Sequence, residues 1–283
     1  MRFWGLMKGA GAVFRVFACG FPGAAVPSLP HDAVVEWPHP SEPGFLDVAL
    51  DHLLSDESEQ ARLLVHDGSG ASERRLRLLR SVYGDFRVLP VGVRRPLTGL
   101  ASTATVLAGL ADLGVAPGAV LSGMPMVLGH SRIDAVSHRV SRLDLPGIGL
   151  RHQLVSMIPG AVVRLRFADS IEVGVPRSTP DTDTAIGPDA VIVRAGNAGL
   201  AGKLPSRGHP ASNGQVPTID VTGPDPVTSG WWGTRNYYEQ CVLTADLRDL
   251  ATRITTHPWR RCPECGESVS SHCRFCSAQE AFA

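Results

Sequence analysis

Four cysteines near the C-terminus form the strongest chemical pattern in the sequence. They occur as two CxxC pairs with seven residues between the pairs: Cys262, Cys265, Cys273 and Cys276. A CxxC turn directs two thiolates at one metal ion, and zinc prefers four soft ligands in a tetrahedron. The spacing therefore predicts a structural zinc knuckle or short zinc ribbon. Such a site is not catalytic, because four thiolates leave no open coordination position.

Two disulfides in a secreted protein are the alternative interpretation of these cysteines. The paired CxxC spacing and the low cysteine content, 6 in 283 residues, favour zinc over a disulfide-stabilised scaffold. Reduced thiolates also favour the cytoplasm as the location of the protein. Cys19 and Cys241 are expected to be ordinary buried or free thiols, since cysteine packs as a small apolar side chain.

A second polar pattern directly follows a short apolar run. The run Ala61 to Val65 is predicted to be a buried strand, and it ends at His66-Asp67-Gly68-Ser69-Gly70. Ligands of open α/β sheets bind beyond the carboxyl ends of the strands, so Asp67 and Ser69 are candidate binding residues. The alternative is a tight connection without a ligand, which is the commoner role of a Gly-Ser-Gly turn before a helix.

The elements that position this turn alternate between strand and helix patterns over residues 32–123. Repeated β-α-β units predict an α/β fold with a mostly parallel sheet and helices on both faces. Apolar periodicity and turn residues place the strands at Ala33–Trp37, Ala61–Val65, Phe86–Val93 and Ala119–Leu121. The helices are predicted at Glu42–Leu54, Glu73–Tyr83 (with Ser72 as its cap) and Thr98–Leu113.

The second half of the chain is predicted to be less regular. Residues 124–175 contain apolar runs with strand character, and residues 176–230 form long loops around one short strand, Ala190–Arg194. A helix over Leu243–Ile254 precedes the four cysteines. The expected organisation is an N-terminal segment (1–31), an α/β domain with an irregular, β-containing second half (32–240), and a helix with a small C-terminal zinc knuckle (241–283).

Charge and hydropathy argue against a nucleic-acid partner and against a membrane span. Lys plus Arg and Asp plus Glu both number 27, so the net charge is zero and a nucleic-acid partner is not expected. No run of residues is long and apolar enough to span a membrane.

The segment 32–114 resembles the nucleotide-binding half of a family-2 glycosyltransferase with the GT-A fold. The resemblance rests on three stretches in the family's order: Val34 to Pro38, Phe45 to Leu54, and Leu63 to Ser69. The last stretch corresponds to the family's strand ending in Asp-Asp-Gly-Ser. Two features depart from the family: His66 replaces the first aspartate, and Ser122 to Met126 lacks the expected acidic pair.

The resemblance implies a set of site residues. Asp67 and Ser69 would contact a nucleotide sugar, and Asp181 and Asp183 would hold Mg²⁺ or Mn²⁺, since hard cations prefer oxygen ligands. The Asp-x-Asp pattern comes about fifty residues later than in the family, so a polar loop is its alternative. Glu239 would act as the general base that deprotonates the acceptor.

Glu239 ends the most aromatic segment of the chain, residues 230–239. The rings of this segment either stack on a sugar or a base, or pack the last helix and the knuckle onto the body of the protein. The second interpretation is favoured.

The function predicted from sequence is therefore transfer of a sugar from a nucleotide-sugar donor to an acceptor. The alternative is a catalytically inactive binding or assembly protein. Its structural zinc module would contact a protein partner or, through Arg260, Arg261 and Arg274, a nucleic acid.

Overall fold

The fold was obtained as a computed structural model of the chain. It describes residues 13–20, 34–40, 42–56, 60–85, 87–140, 143, 145, 147–167, 171–174, 190–204, 218–221, 231–232, 234, 236–243, 246–270 and 273–276.

The first half of the chain builds a four-stranded parallel sheet. Its strands are Phe14–Cys19 (β1), Val34–Trp37 (β2), Ala61–His66 (β3) and Val88–Gly92 (β4), in the spatial order β2-β1-β3-β4. Successive side chains of a strand point to opposite faces of the sheet. The strands of this sheet carry apolar side chains in both directions, so both faces are apolar and both are covered. The predicted parallel sheet is confirmed.

Each face of the parallel sheet packs against helices. Helices Phe45–Ser55 (α1) and Gly70–Tyr83 (α2) cover one face, where Trp37, Phe45 and Leu64 are fully buried. Helix Leu97–Asp112 (α3) covers the other face, against Val16, Leu63 and Val65 among others.

The second half of the chain builds a six-stranded, mostly antiparallel sheet. Its strands are Ser131–Ser137 (β5), Val163–Phe167 (β6), Ile171–Gly174 (β7), Val191–Gly196 (β8), Thr218–Val221 (β9) and Tyr237–Leu243 (β10). The spatial order is β7-β6-β5-β10-β8-β9, and only the β8–β9 pair is parallel. The β character predicted for this half is confirmed, but it forms one ordered sheet.

Helix α3 lies between the two sheets. It contacts β1 and β3 on one side and β5, β8 and β10 on the other, and 14 of its 16 residues are buried. Small side chains allow this close approach: a Cβ on Gly99 would collide with Ile133 of β5. The helix therefore joins the two sheets into a continuous apolar interior.

Short helices and a hairpin complete the described part of the chain. They are Pro117–Ser122 (α4), Met124–Gly129 (α5), Leu150–Val155 (α6), a 3₁₀ helix at Ala198–Lys203, Leu247–Thr256 (α7), and the paired strands Arg260–Arg261 (β11) and Ser268–Val269 (β12). None of the described helices has the length and apolar character needed to cross a bilayer.

Two local predictions are wrong. Ala119–Leu121, expected as a strand, lies in α4, since a run of three apolar residues fits either element and Pro117 favours a helix start. The helix expected from Leu243 begins at Leu247, because Leu243 ends the buried strand β10.

Candidate functional site

The strand order of the parallel sheet creates a switch point between β1 and β3. The chain leaves β1 toward β2 and leaves β3 toward β4, in opposite directions, so a crevice opens at their carboxyl ends. Ligands of open α/β sheets bind in this crevice. Cys19 and Gly20 lie at the end of β1, His39 follows β2, and His66 and Asp67 lie at the end of β3.

The turn after β3 positions its polar groups at the start of α2. Gly68 has φ of 68°, in the left-handed region that glycine adopts readily. Ser69 is the N-cap of α2, and its side chain accepts a hydrogen bond from Ser72 N at 3.2 Å. The prediction of Ser72 as the cap is therefore wrong, since the observed cap lies three residues earlier. The first N–H groups of α2 lie at the switch point.

Asp67 is held as a carboxylate in this turn. Burial alone would raise its pKa, but the nearby His39 ring, whose Nε2 lies 3.6 Å from Oδ2, and the hydrogen bond from Ser69 N outweigh it and hold the pKa well below its usual range. The same charge acts on Cys19, whose pKa is raised by burial and by Asp67.

Asp67→Asn is expected to destabilise the protein in a pH-dependent way. Because the folded-state pKa is depressed, the carboxylate stabilises the fold above the unfolded pKa of about 3.9, and this is lost as pH falls toward the folded value. We expect a loss of about 1–3 kcal/mol at pH 7 that shrinks below about pH 4. Urea unfolding of both proteins at pH 7 and pH 3.5 measures it; an equal difference at both values would contradict the assignment.

His66 presents a buried donor at the same edge. Its Nδ1 accepts a hydrogen bond from Gly68 N at 3.2 Å, whereas Asp67 Oδ1 lies 3.9 Å from Nδ1, too far for a hydrogen bond. Since Nδ1 is the acceptor of this bond, Nε2 is the ring nitrogen that carries a proton. This Nε2 is buried and has no hydrogen-bond partner among the described residues.

The space beside His66 is kept open by Gly92, its partner on β4. A Cβ added to Gly92 would lie 3.3 Å from His66 Nε2 and 3.2 Å from Cε1. A buried donor without a partner costs about 1–3 kcal/mol. A ligand that supplies the missing acceptor removes this cost, and the binding free energy becomes more favourable by that amount. The arrangement fits a ligand oxygen, such as that of a carboxylate.

Glu239, predicted as a general base, lies in the core. It is 0% exposed, and its oxygens accept hydrogen bonds from Thr98 N at 3.0 Å and from Trp232 Nε1 at 2.9 Å. Trp232 is also fully buried and stacks on Tyr237, with 5.6 Å between ring centroids. The carboxylate therefore joins β10 to the first turn of α3, where the helix dipole favours a negative charge.

Further buried polar groups surround Cys241, which lies two residues after Glu239 on β10. Arg95 donates to Ser131 Oγ at 2.9 Å, and Ser102 Oγ donates to Cys241 Sγ at 2.9 Å. Burial raises the pKa of the Cys241 thiol to about 12, so this cysteine is an unreactive core residue, as predicted.

The remaining predicted site residues fall in two groups. The four cysteine Sγ atoms converge, with all four within 4.8 Å of one another. Asp181 and Asp183 lie outside the described residues. The sequence did not single out His66 or Gly92 as site residues, although His66 directly follows the predicted strand Ala61–Val65 and Gly92 lies near the end of the predicted strand Phe86–Val93.

No protein-family model matches the chain, and no curated protein matches it either.

Solved structures do match. A DegV-family protein from Corynebacterium glutamicum is similar over 83% of this chain and 99% of its own, with 16% identity and a TM-score of 0.53. A fatty-acid-binding DegV-family protein from Thermus thermophilus is similar over 82% of this chain and 99% of its own, with 11% identity and a TM-score of 0.52. A stearic-acid-binding protein from Eubacterium ventriosum is similar over 82% and 98%, with 9% identity and a TM-score of 0.51. At these identities the similarity establishes the fold.

The predicted GT-A glycosyltransferase is therefore wrong, and with it the nucleotide-sugar donor and its acceptor. The resemblance rested on the order strand, helix, strand, which many parallel α/β sheets share. It also began at residue 32, and so omitted β1, which lies between β2 and β3 in the sheet.

Proposed function

We propose that this protein binds a long-chain fatty acid. Its carboxylate would lie at the loops after β3 and β4, and its hydrocarbon chain against the apolar interior around α3. The observation that carries the proposal is His66 Nε2, a buried donor without a partner among the described residues. The fold supports it, since the similar proteins of Thermus thermophilus and Eubacterium ventriosum are described as binding a fatty acid and stearic acid.

The electrostatics of the switch point suit a carboxylate on the Nε2 side of His66. The N-terminus of α2 begins at Gly70, and helix N-termini attract anions through their free N–H groups and dipole. Asp67 lies on the Nδ1 side of the ring, where His39 and Ser69 N already hold its charge. The imidazole ring therefore separates the ligand position from the protein's own carboxylate.

Two apolar features suit the hydrocarbon part of such a ligand. The interior around α3 is a continuous apolar cluster that reaches both sheets. In addition, Leu150, Leu154, Met157 and Ile158 are exposed in one short segment around α6. Exposed apolar patches mark contacts with apolar partners, and a water-insoluble ligand needs such a contact to enter. None of the six cysteines forms a disulfide, which suits a cytoplasmic protein.

Binding of hexadecanoic acid by delipidated protein tests the proposal. Burial of a methylene group contributes about 0.8 kcal/mol, so octanoic acid is expected to bind at least about 100-fold more weakly. The methyl ester of hexadecanoic acid lacks the charge and is expected to bind at least about tenfold more weakly. Titration calorimetry measures these affinities, and mass spectrometry of an organic extract identifies acids that co-purify.

Two results would overturn the proposal. One is the absence of saturable binding of hexadecanoic acid. The other is equal affinity for the acid and its methyl ester, which would remove the role of the charged head group.

A further inference from the structure

The four C-terminal cysteines have the geometry of a metal site. Cys262 Sγ lies 3.7 Å from Cys276 Sγ, and Cys265 Sγ lies 3.5 Å from Cys273 Sγ. A disulfide needs a distance of about 2.05 Å between its sulfur atoms. Tetrahedral zinc with Zn–S bonds of about 2.3 Å separates its ligands by about 3.8 Å. The observed distances therefore fit zinc and do not fit two disulfides.

The backbone around the first pair holds this geometry. Gly266 has φ of 74° and donates from its N–H to Cys262 O at 2.9 Å, which closes the CxxC turn. Cys262 N donates to Glu267 O at 2.8 Å, which begins the β11–β12 hairpin. In the second pair, Cys276 N donates to Cys273 Sγ at 3.4 Å, as backbone amides do to metal-bound thiolates.

We propose that these cysteines bind one Zn²⁺, and that the zinc-bound segment is a clamp which fastens the C-terminus to α4 and α2. The segment has little apolar core of its own, because β11 and β12 have two residues each and most of their neighbours are exposed. Metal binding supplies the folding free energy that so small a module lacks.

The contact with α4 is close and specific. Glu267 Oε2 accepts from Gly118 N at 3.2 Å, and Ser268 O accepts from the Ser122 hydroxyl at 3.0 Å. A Cβ on Gly118 would collide with the Glu267 carboxylate and lie 2.9 Å from Ser268 N. Glycine at 118 is therefore what allows β12 to approach the helix.

The contact with α2 is made beside the second cysteine pair. Phe275 is 5% exposed and belongs to the main apolar core, and its carbonyl oxygen accepts from Arg80 Nη2 at 3.4 Å. Arg80 lies in the last turn of α2, the helix that begins at the switch point. The clamp thus supports two helices from which the α/β half is built.

Metal analysis of purified protein tests the zinc site. We expect about one zinc per chain, and less than about 0.1 in Cys265→Ser/Cys273→Ser, since two thiolate ligands are removed. Cys265 is exposed and Cys273 half-buried, so this variant loses little packing. Cys241→Ala, which removes a thiol outside the quartet, is the control and should keep its zinc. Wild-type protein that lacks zinc and contains disulfides on non-reducing mass analysis would overturn the site.

Hydrogen exchange of α4 tests the clamp separately from the metal. Gly118→Val should keep about one zinc but raise amide exchange in residues 119–122 at least about tenfold, because the valine separates β12 from α4. Gly202→Val is the matched control, since a Cβ there meets nothing within 4 Å. The cysteine double variant should show the same rise. Unchanged exchange in both the Gly118 and the cysteine variants would overturn the clamp. Fatty-acid binding is measured independently, so failure of that proposal leaves this result interpretable.

Discussion

Replacing Glu239 with alanine is expected to lower the free energy of unfolding by about 3–5 kcal/mol. The substitution leaves Thr98 N and Trp232 Nε1 buried without their acceptor, and it opens a cavity between β10 and α3. An unsatisfied buried donor costs about 1–3 kcal/mol, so two of them account for most of the loss. Urea unfolding followed by circular dichroism measures the effect.

Two variants show whether hydrogen bonding carries this effect. Glu239→Gln keeps the volume but offers one acceptor oxygen for two donors, so we expect a loss of about 1–3 kcal/mol. Glu172→Ala removes an exposed carboxylate, 59% exposed, and should change stability by no more than about 0.5 kcal/mol. If Glu239→Ala were as stable as Glu172→Ala, the hydrogen bonds of Glu239 would not stabilise the fold, and a functional role for Glu239 would have to be considered.

The first half of the fold was predictable because its signals are local. The apolar run at Ala61 predicts a buried strand, and the glycines and serine after it predict a turn and a helix start. The small-residue pattern after Thr98 predicts the helix that became α3. In each case neighbouring residues decide the element, and the observed bounds differ by only a few positions.

The arrangement of these elements was not predictable, because it depends on residues far apart in the chain. The hydrogen bond between Glu239 and Thr98 joins residues separated by 141 positions, and no local pattern indicates it. Likewise, β1 lies in the predicted N-terminal segment (1–31), and its place in the sheet depends on distant residues, such as Asp56, which lies 3.0 Å from the Arg15 guanidinium. Without β1 the strand order, and therefore the switch point, could not be derived.

The candidate site shows the same division. Asp67 and Ser69 were predicted as binding residues because they follow a predicted strand directly. His66 was seen as a departure from a family pattern, because its role depends on a neighbouring strand. Only the pairing of His66 with Gly92 shows that the imidazole edge faces a position without a side chain.

Gly92→Val is expected to weaken hexadecanoic acid binding by at least about tenfold while leaving the fold intact. The valine side chain would occupy the space 3.2–3.3 Å from the His66 ring edge and deny the ligand oxygen its donor. Loss of a hydrogen bond to a charged group costs about 1.5–3 kcal/mol, which corresponds to about 10- to 150-fold. The added Cβ also lies 3.3 Å from Gly68 Cα, so these neighbours must shift slightly, and we expect the free energy of unfolding to fall by about 1 kcal/mol.

Two controls show whether Gly92→Val weakens binding by blocking the head-group site or by a general loss of packing. Gly202→Val makes the same substitution where a Cβ meets nothing within 4 Å, and its affinity should equal that of the wild type. Gly92→Val should also reduce the preference for the acid over its methyl ester, because a carboxylate accepts the lost hydrogen bond more strongly than an ester carbonyl does. If Gly92→Val bound hexadecanoic acid as tightly as Gly202→Val, the carboxylate would lie elsewhere, and His66 Nε2 would not be its donor.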